Sequence, residues 1–254
     1  MSQALERMRV VTYNIHKCRG LDQRRSPQRI AKVLAELNAD LIALQEVVND
    51  PGGGLEKEQA RYLASSLGLQ HYCFEPARQF RGSPYGNAVL SRHPVLASYN
   101  YNLSWKRQEP RACLRVDLAI NGHLGLHIFN VHLGTSPWER KAQAQILVSS
   151  SILNDPKLTE PRIMLGDFND WMLGSPSRLL AKHLVSADIR AHLQRCRTYP
   201  GLFPFVHLDH IYFDETLHLE CLSLHKSRTA IMASDHLPLV ADLRWKTSAL
   251  RQSM

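Results

Sequence analysis

Apolar residues recur along this chain with two periods. Behind Ser26-Pro27, the residues Ile30, Val33, Leu34 and Leu37 fall three or four apart, which predicts a helix that stops near Asn38. Ser136-Pro137 with Glu139 resembles a capping box, and Ala142, Ile146 and Leu147 carry that helix onward. Ser175-Pro176 opens a third helix containing Leu179 and Leu180, and a fourth is expected over 56–67, closed by Gly68. Between them, 9–14, 41–46, 87–91, 113–120, 124–132, 163–166, 209–213, 217–224 and 237–244 read as strands. Asn121-Gly122 joins two of these with the signal of a type I′ hairpin. Hairpins mixed with strand–helix units predict an α/β domain with mixed or antiparallel sheets under helices, and disfavour a purely parallel doubly wound sheet.

The apolar strands share a peculiarity at their ends. Val10-Val11-Thr12-Tyr13 ends in Asn14, and Leu41-Ile42-Ala43-Leu44-Gln45 ends in Glu46. Ile128-Phe129-Asn130-Val131 ends in His132, and Ile163-Met164-Leu165-Gly166 ends in Asp167-Phe168-Asn169. Asp209-His210 opens the run Ile211-Tyr212-Phe213, and the loop Ala233-Ser234-Asp235-His236 precedes the last strand. One carboxylate at a strand end is ordinarily a turn or cap residue. Six such positions on one sheet edge would instead converge on a cleft. Hard carboxylate and amide oxygens suit magnesium (Mg2+) or manganese (Mn2+), and Asp beside His supplies acid–base chemistry.

Composition narrows the setting. The 254 residues are 44% apolar and contain no repeat or long linker, so a single domain over 1–254 with a sizeable core is expected. Five scattered cysteines without a Cys-x-x-Cys pair fit a reduced compartment better than a disulfide framework. The polar N-terminus and the short, interrupted apolar runs give no transmembrane segment, and a cytoplasmic address is the default. A net charge of +8 favours polyanionic partners: DNA or RNA, anionic lipid head groups, or polyphosphates.

Six segments in order carry a resemblance. They are Thr12-Tyr13-Asn14-Ile15, Leu44-Gln45-Glu46-Val47, 86–92 (Gly-Asn-Ala-Val-Leu-Ser-Arg), Asn130-Val131-His132-Leu133, Gly166-Asp167-Phe168-Asn169 and Ser234-Asp235-His236-Leu237-Pro238. Together they resemble the motifs of the endonuclease/exonuclease/phosphatase superfamily, across 9–245. The resemblance implies a four-layer α/β sandwich, two mixed, largely antiparallel sheets flanked by helices, with a metal-dependent phosphoesterase site at their shared edge. It also implies roles: Glu46 as principal metal ligand, with Asn14 beside it and Asp235 near the metal. Asp167 and Asn169 would orient water and phosphate, His236 would contact the scissile phosphate, and Asp209 would orient His236. His132 would lie on the phosphate or leaving-group side, and Arg111 resembles a phosphate-facing arginine. His16 stands where exonuclease III-like repair enzymes usually carry an acid, which counts against an abasic-site endonuclease.

The expected reaction is phosphodiester hydrolysis by Asp/His-assisted water attack, with nucleic acid slightly favoured as substrate. Two other readings stand beside it: a phospholipid head-group or inositol-phosphate-type phosphoesterase, and a catalytically silent module that binds phosphorylated ligands. Lys17, Arg19, Arg24 and Arg25 follow Asn14 closely enough to approach the cleft, and 199–206 could grip substrate. Asp170 and Trp171 read as a turn and a packed aromatic.

Overall fold

A computed structural model describes residues 7–54, 57–120, 124–158, 161–170, 174–187 and 207–246. The strands are β1 (Arg7–Asn14), β2 (Leu41–Val48), β3 (His71–Phe80), β4 (Ser83–Ser91), β5 (Val95–Asn102), β6 (Ala112–Ile120), β7 (Leu124–His132), β8 (Arg162–Asp167), β9 (Val185–Ser186), β10 (Asp209–Phe213), β11 (Leu217–Leu224) and β12 (Leu239–Trp245). Helices are α1 (Pro27–Leu37), α2 (Gln59–Ser66), α3 (Pro137–Leu147), α4 (Ser175–Leu180) and α5 (Arg228–Ala233). No described helix is long and apolar enough to cross a membrane.

The strands form two six-stranded mixed sheets, ordered β11-β12-β1-β2-β4-β3 and β5-β6-β7-β8-β10-β9. Both sheets read antiparallel, antiparallel, parallel, antiparallel, antiparallel across their width. The parallel pair is β1–β2 in one and β7–β8 in the other, joined through α1 and α3 respectively. A parallel pair needs a crossover, and both crossover helices begin Ser-Pro, where proline at the first helical position has its φ set and no amide to lose.

Alternation explains where the core lies. Val10, Leu41, Ala43 and Val89 of the first sheet meet Leu114, Val116, Ile128, Ile163, Leu165 and Ile211 of the second, forming the layer between the sheets. The opposite faces, with Val11, Tyr13 and Leu44 or Phe129, Val131 and Met164, belong to separate helix-side clusters. Each inward row then turns polar near one end. Thr12 and Asn14 follow Val10, Gln45 follows Ala43, Asn130 and His132 follow Ile128, and Asp167 follows Leu165. The cleft is thus the polar end of the same rows that form the core.

Two asparagines join the sheets beneath that end. Asn130 of the second sheet donates to the carbonyls of Leu44 and Ala88 at 2.9 and 2.8 Å, and accepts from Gln45 at 2.7 Å. Asn87 of the first sheet donates the other way, to the carbonyls of Ala112 and Asn130 at 3.2 and 3.3 Å. A buried amide retained in an apolar layer must be satisfied, and here satisfaction fixes one sheet against the other.

Several boundaries differ from the sequence expectation. The expected strand over 87–91 begins at Ser83, and the helix expected over 56–67 spans Gln59–Ser66, with 56 outside the described residues. The edge strands β3 and β5 were unforeseen: both are largely half-buried or exposed, and Pro76 breaks the pattern of β3. Ser26 caps α1 through Arg29 N, and Asn38 ends it in a left-handed conformation. Ser136 makes no side-chain cap, whereas Glu139 accepts from its backbone N–H, so the capping box is half formed. Strands β6 and β7 pair to Ile120 and Leu124, although the Asn121-Gly122 turn lies outside the described residues, as does 199–206.

Candidate active site

Glu46 reaches the cleft because its strand is irregular. The β2–β4 register shifts between Leu44 and Val47, and Glu46 takes φ +57°. Strict alternation would send Glu46 to the helix side with Leu44; the bulge turns it toward Asn14 instead. Left-handed backbone at a glutamate is costly, and such strain concentrates at functional positions. Gly166 performs a related service in β8. At φ +149°, a Cβ on Gly166 would collide with the Val131 carbonyl, so only glycine lets β8 close on β7 beside His132 and Asp167.

Asn14 joins the two sheets' carboxylates. Its Nδ2 donates to Glu46 Oε1 at 3.2 Å and to Asp167 Oδ2 at 3.0 Å. Its Oδ1 accepts from the backbone of His16 at 3.0 Å, and Ser234 donates to its carbonyl at 2.8 Å. Asp167 also accepts from Asn169 N at 2.9 Å, while the Asn169 side chain donates to the Leu133 carbonyl. Both ring histidines approach the same Asp167 oxygen, His132 Nε2 at 3.5 Å and His236 Nε2 at 3.6 Å. The far nitrogen of His236, Nδ1, is bonded to Asp209 Oδ2 at 2.9 Å. His236 precedes β12 in the first sheet and Asp209 opens β10 in the second, so this bond also spans the seam.

The electrostatics separate the roles. Burial alone would lower the His236 pKa, but Asp209 and Asp167 outweigh it and lift it to about 10. His236 is therefore a cation at neutral pH, with Nδ1–H donated to Asp209. Burial raises Asp167 to about 6, against the pull of His236 and the hydrogen bond from Asn14. Burial and the adjacent Arg111 hold His132 well below the usual histidine range, so it is neutral. Burial would raise Glu46, yet His132, Lys17 and Asn14 hold it far below the usual carboxylate range. With His132 neutral, Lys17 and Asn14 are the support that counts at pH 7.

Arg111 lies with Nη1 3.0 Å from each nitrogen of His132, and its Nε is buried without a hydrogen-bond partner among the described residues. An unpartnered buried guanidinium N–H is what a phosphate oxygen would satisfy. Asp209 Oδ1 is likewise buried and unpartnered among the described residues. Asp235 Oδ1 is 3.4 Å from His16 Nδ1 and accepts from Ser234. Asp170 caps α4, accepting from Gly174 N and Ser177 Oγ, as a turn residue would. Of the basic residues after Asn14, Lys17 enters the site on Glu46 and Arg25 lies over Phe80. Reading the sequence missed Lys17's place on Glu46 and the Asn87–Gln45–Asn130 layer. The three successive left-handed residues His16, Lys17 and Cys18 that aim the lysine have no glycine to announce them.

Asp167, Asp209 and His236 place ligand atoms within 4.8 Å of one another, close enough to hold a metal ion. His236 Nδ1 is already committed to Asp209, so the group reads better as a proton-handling unit. Glu46 offers a second place where a cation could sit: a hard carboxylate held below the usual carboxylate range, with an ammonium group against it.

Residues 11–236 match the family model described as Endonuclease/Exonuclease/phosphatase family. The uncharacterized protein YbhP of Escherichia coli K12 is 30% identical over 251 residues, 92% of this chain and 95% of that one. Among solved structures, an endonuclease/exonuclease/phosphatase from Beutenbergia cavernae superposes with TM-score 0.74 at 24% identity, covering 94% of this chain and 72% of its own. The mannosyl-6-phosphatase Bt3783 of Bacteroides thetaiotaomicron gives 0.77 at 18%, covering 94% and 100%. The human Nocturnin catalytic domain, with a bound sulfate anion, gives 0.73 at 22%, covering 95% of each chain. At these identities the structural likeness establishes the fold alone.

Proposed function

Because this chain belongs to the endonuclease/exonuclease/phosphatase family, we propose that it is a divalent-metal-dependent hydrolase of phosphodiesters, with nucleic acid the favoured substrate. The observation that carries the reading is the pairing at one cleft of an ionisable, buried Asp167 with a His236 held as a cation by Asp209.

Each group then has one task. Asp167, with a pKa near 6, is ionised at neutral pH and basic enough to accept a proton from the attacking water. The water oxygen bonds to phosphorus as the ester P–O bond breaks, the water proton passes to Asp167, and the departing ester oxygen takes its proton from solvent. The His236 Nε2–H is the donor for a phosphate oxygen, and its charge offsets the negative charge that builds there. Asp209 fixes the ring through Nδ1. Arg111 directs its buried Nε–H at a second phosphate oxygen, while neutral His132 fills the leaving-group side beside it. Glu46, with Asn14 as orienting neighbour, would hold Mg2+ or Mn2+, which supplies Lewis-acid charge neutralisation when bound. Asp235 would lie near the metal, with His16 against its carboxylate.

Cation-rich surroundings support a polyanionic substrate over a single small ester. The free thiols of Cys18, Cys73, Cys113 and Cys221 support a cytoplasmic address. The deciding assay supplies bis(p-nitrophenyl) phosphate, p-nitrophenyl phosphate, DNA, RNA and phospholipid with Mg2+ or Mn2+, then with excess chelator. Diester turnover that chelator abolishes supports the proposal. Turnover of the monoester alone transfers the chain to the phosphatase branch, and full activity in chelator refutes the metal mechanism.

A further inference from the structure

The tip of the β3–β4 hairpin carries a concentration of positive charge that the reaction itself does not use. Phe80 pairs with Ser83, leaving Arg81 and Gly82 as a two-residue turn with φ +51° and +83°. Both central residues are left-handed, as in a type I′ turn, where asparagine or glycine is the ordinary choice. Arg81 stands at the first of them, and its guanidinium lies over the neighbouring Phe80 ring.

Around the Phe80 ring stand Lys17 at 5.7 Å, Arg25 at 5.8 Å, Arg78 at 5.7 Å and Arg81 at 5.6 Å from the centroid. Arg78 also stacks on Tyr85 at 4.4 Å. Lys17 is matched by Glu46 and Arg78 by Glu109, at 2.8 Å for the latter. Arg25 and Arg81 have no carboxylate partner among the described residues, and both are exposed. These cations come from two separate segments, the loop after β1 and the β3–β4 hairpin. Like charges gathered on one ring repel, and the aromatic faces offset that only in part. Guanidinium groups resting on a ring keep their N–H edges free for a planar or tetrahedral oxyanion.

The position matters as much as the charge. Lys17 touches the Glu46 carboxylate and the Phe80 ring at once, so the cluster begins at the wall of the catalytic cleft. We propose that Arg25 and Arg81, seated on Phe80, form a subsite for a second phosphate group of the substrate, next to the one that is cleaved. This rests on the phosphoesterase reading of the cleft and adds a requirement to it: the substrate carries more than one phosphate.

The test is equilibrium binding to the full chain in excess chelator, where turnover is absent, comparing wild type with Arg25→Gln/Arg81→Gln. The probes are phenyl phosphate, inorganic tripolyphosphate and a short single-stranded oligonucleotide. The variant is expected to lose about tenfold in affinity for a multiply phosphorylated probe and nothing for phenyl phosphate, with an unchanged melting temperature. Loss for the oligonucleotide alone assigns the second phosphate to a nucleic-acid chain, and loss extending to tripolyphosphate assigns it to any closely spaced polyphosphate. Unchanged affinity for both multiple-phosphate probes, or an equal loss for phenyl phosphate, overturns the subsite. A chain that cleaves no ester yet shows the selective loss refutes the phosphoesterase reading and keeps the subsite; ester cleavage without the loss does the reverse.

Discussion

Lys17 rests its ammonium nitrogen against Oε2 of Glu46, on the carboxylate that a divalent ion would use. A divalent ion at Glu46 would compete with the ammonium group for one acceptor. Replacing the lysine by Lys17→Met removes the competing charge and leaves the Glu46 carboxylate to the metal and Asn14, so Mn2+ affinity is expected to rise by roughly tenfold, while Glu46→Gln should remove it. The rise in melting temperature with added Mn2+ reads this directly. A Lys17→Met protein with a weaker Mn2+ response than wild type would contradict the competition.

The His236–Asp209 bond makes a prediction about alkaline pH. The folded His236 pKa is raised from 6.5 to about 10, so its stabilising contribution is complete below 6.5 and is lost as pH rises through about 10. Turnover that needs the imidazolium falls in the same range. Asp209→Asn removes the largest support, so the alkaline limb of the pH–rate profile should move well below 10. A limb that stays in place would show that Asp209 does not set the charge of His236.

Asp167 has the opposite consequence for stability. Its folded pKa is raised from 3.8 to about 6, so its ionised form costs stability. That cost is absent below 3.8, grows as pH rises through the interval, and is full above about 6. Asp167→Asn cannot ionise. At pH 7.5 it should melt roughly 2–4 °C higher than wild type, and at pH 4 the advantage should vanish. Turnover should fall by about 10²–10⁴. A variant that is inactive because it is unstable would refute this account of the group.

Asn130→Leu tests the seam. It removes the donors to the Leu44 and Ala88 carbonyls and the acceptor for Gln45, leaving buried polar groups without partners. The expected loss is about 2–5 kcal/mol, read from the midpoint of urea unfolding. A change under about 1 kcal/mol would mean that water replaces the amide.

What the sequence disclosed and concealed divides along physical lines. The inner strands were legible because alternation and apolar runs mark a surface buried on both faces, and their polar terminal residues marked the cleft. Asn14, Glu46, His132, Asp167, Asp209 and His236 do converge there. The edge strands β3 and β5 were not legible, since an edge needs neither continuous apolarity nor alternation. Nor was the turn of Glu46: the bulge at Leu44–Val47 obeys a register set by the neighbouring strand, which no local window contains. Asn87 and Asn130 were visible as letters of a motif, but their task of crossing between sheets is a matter of tertiary distance.

The matching order of the two sheets has a consequence for how such a molecule can fail. Glu46 and Asn14 belong to one sheet, Asp167 and Asp209 to the other, and His236 is rooted in the first while answering to the second. Neither sheet alone holds both partners of either pairing. Alignment across the seam is the shared coordinate of Asn14–Asp167 and His236–Asp209, so a slip of one sheet against the other unmakes both pairings in a single movement. Competence in this design is a property of the join.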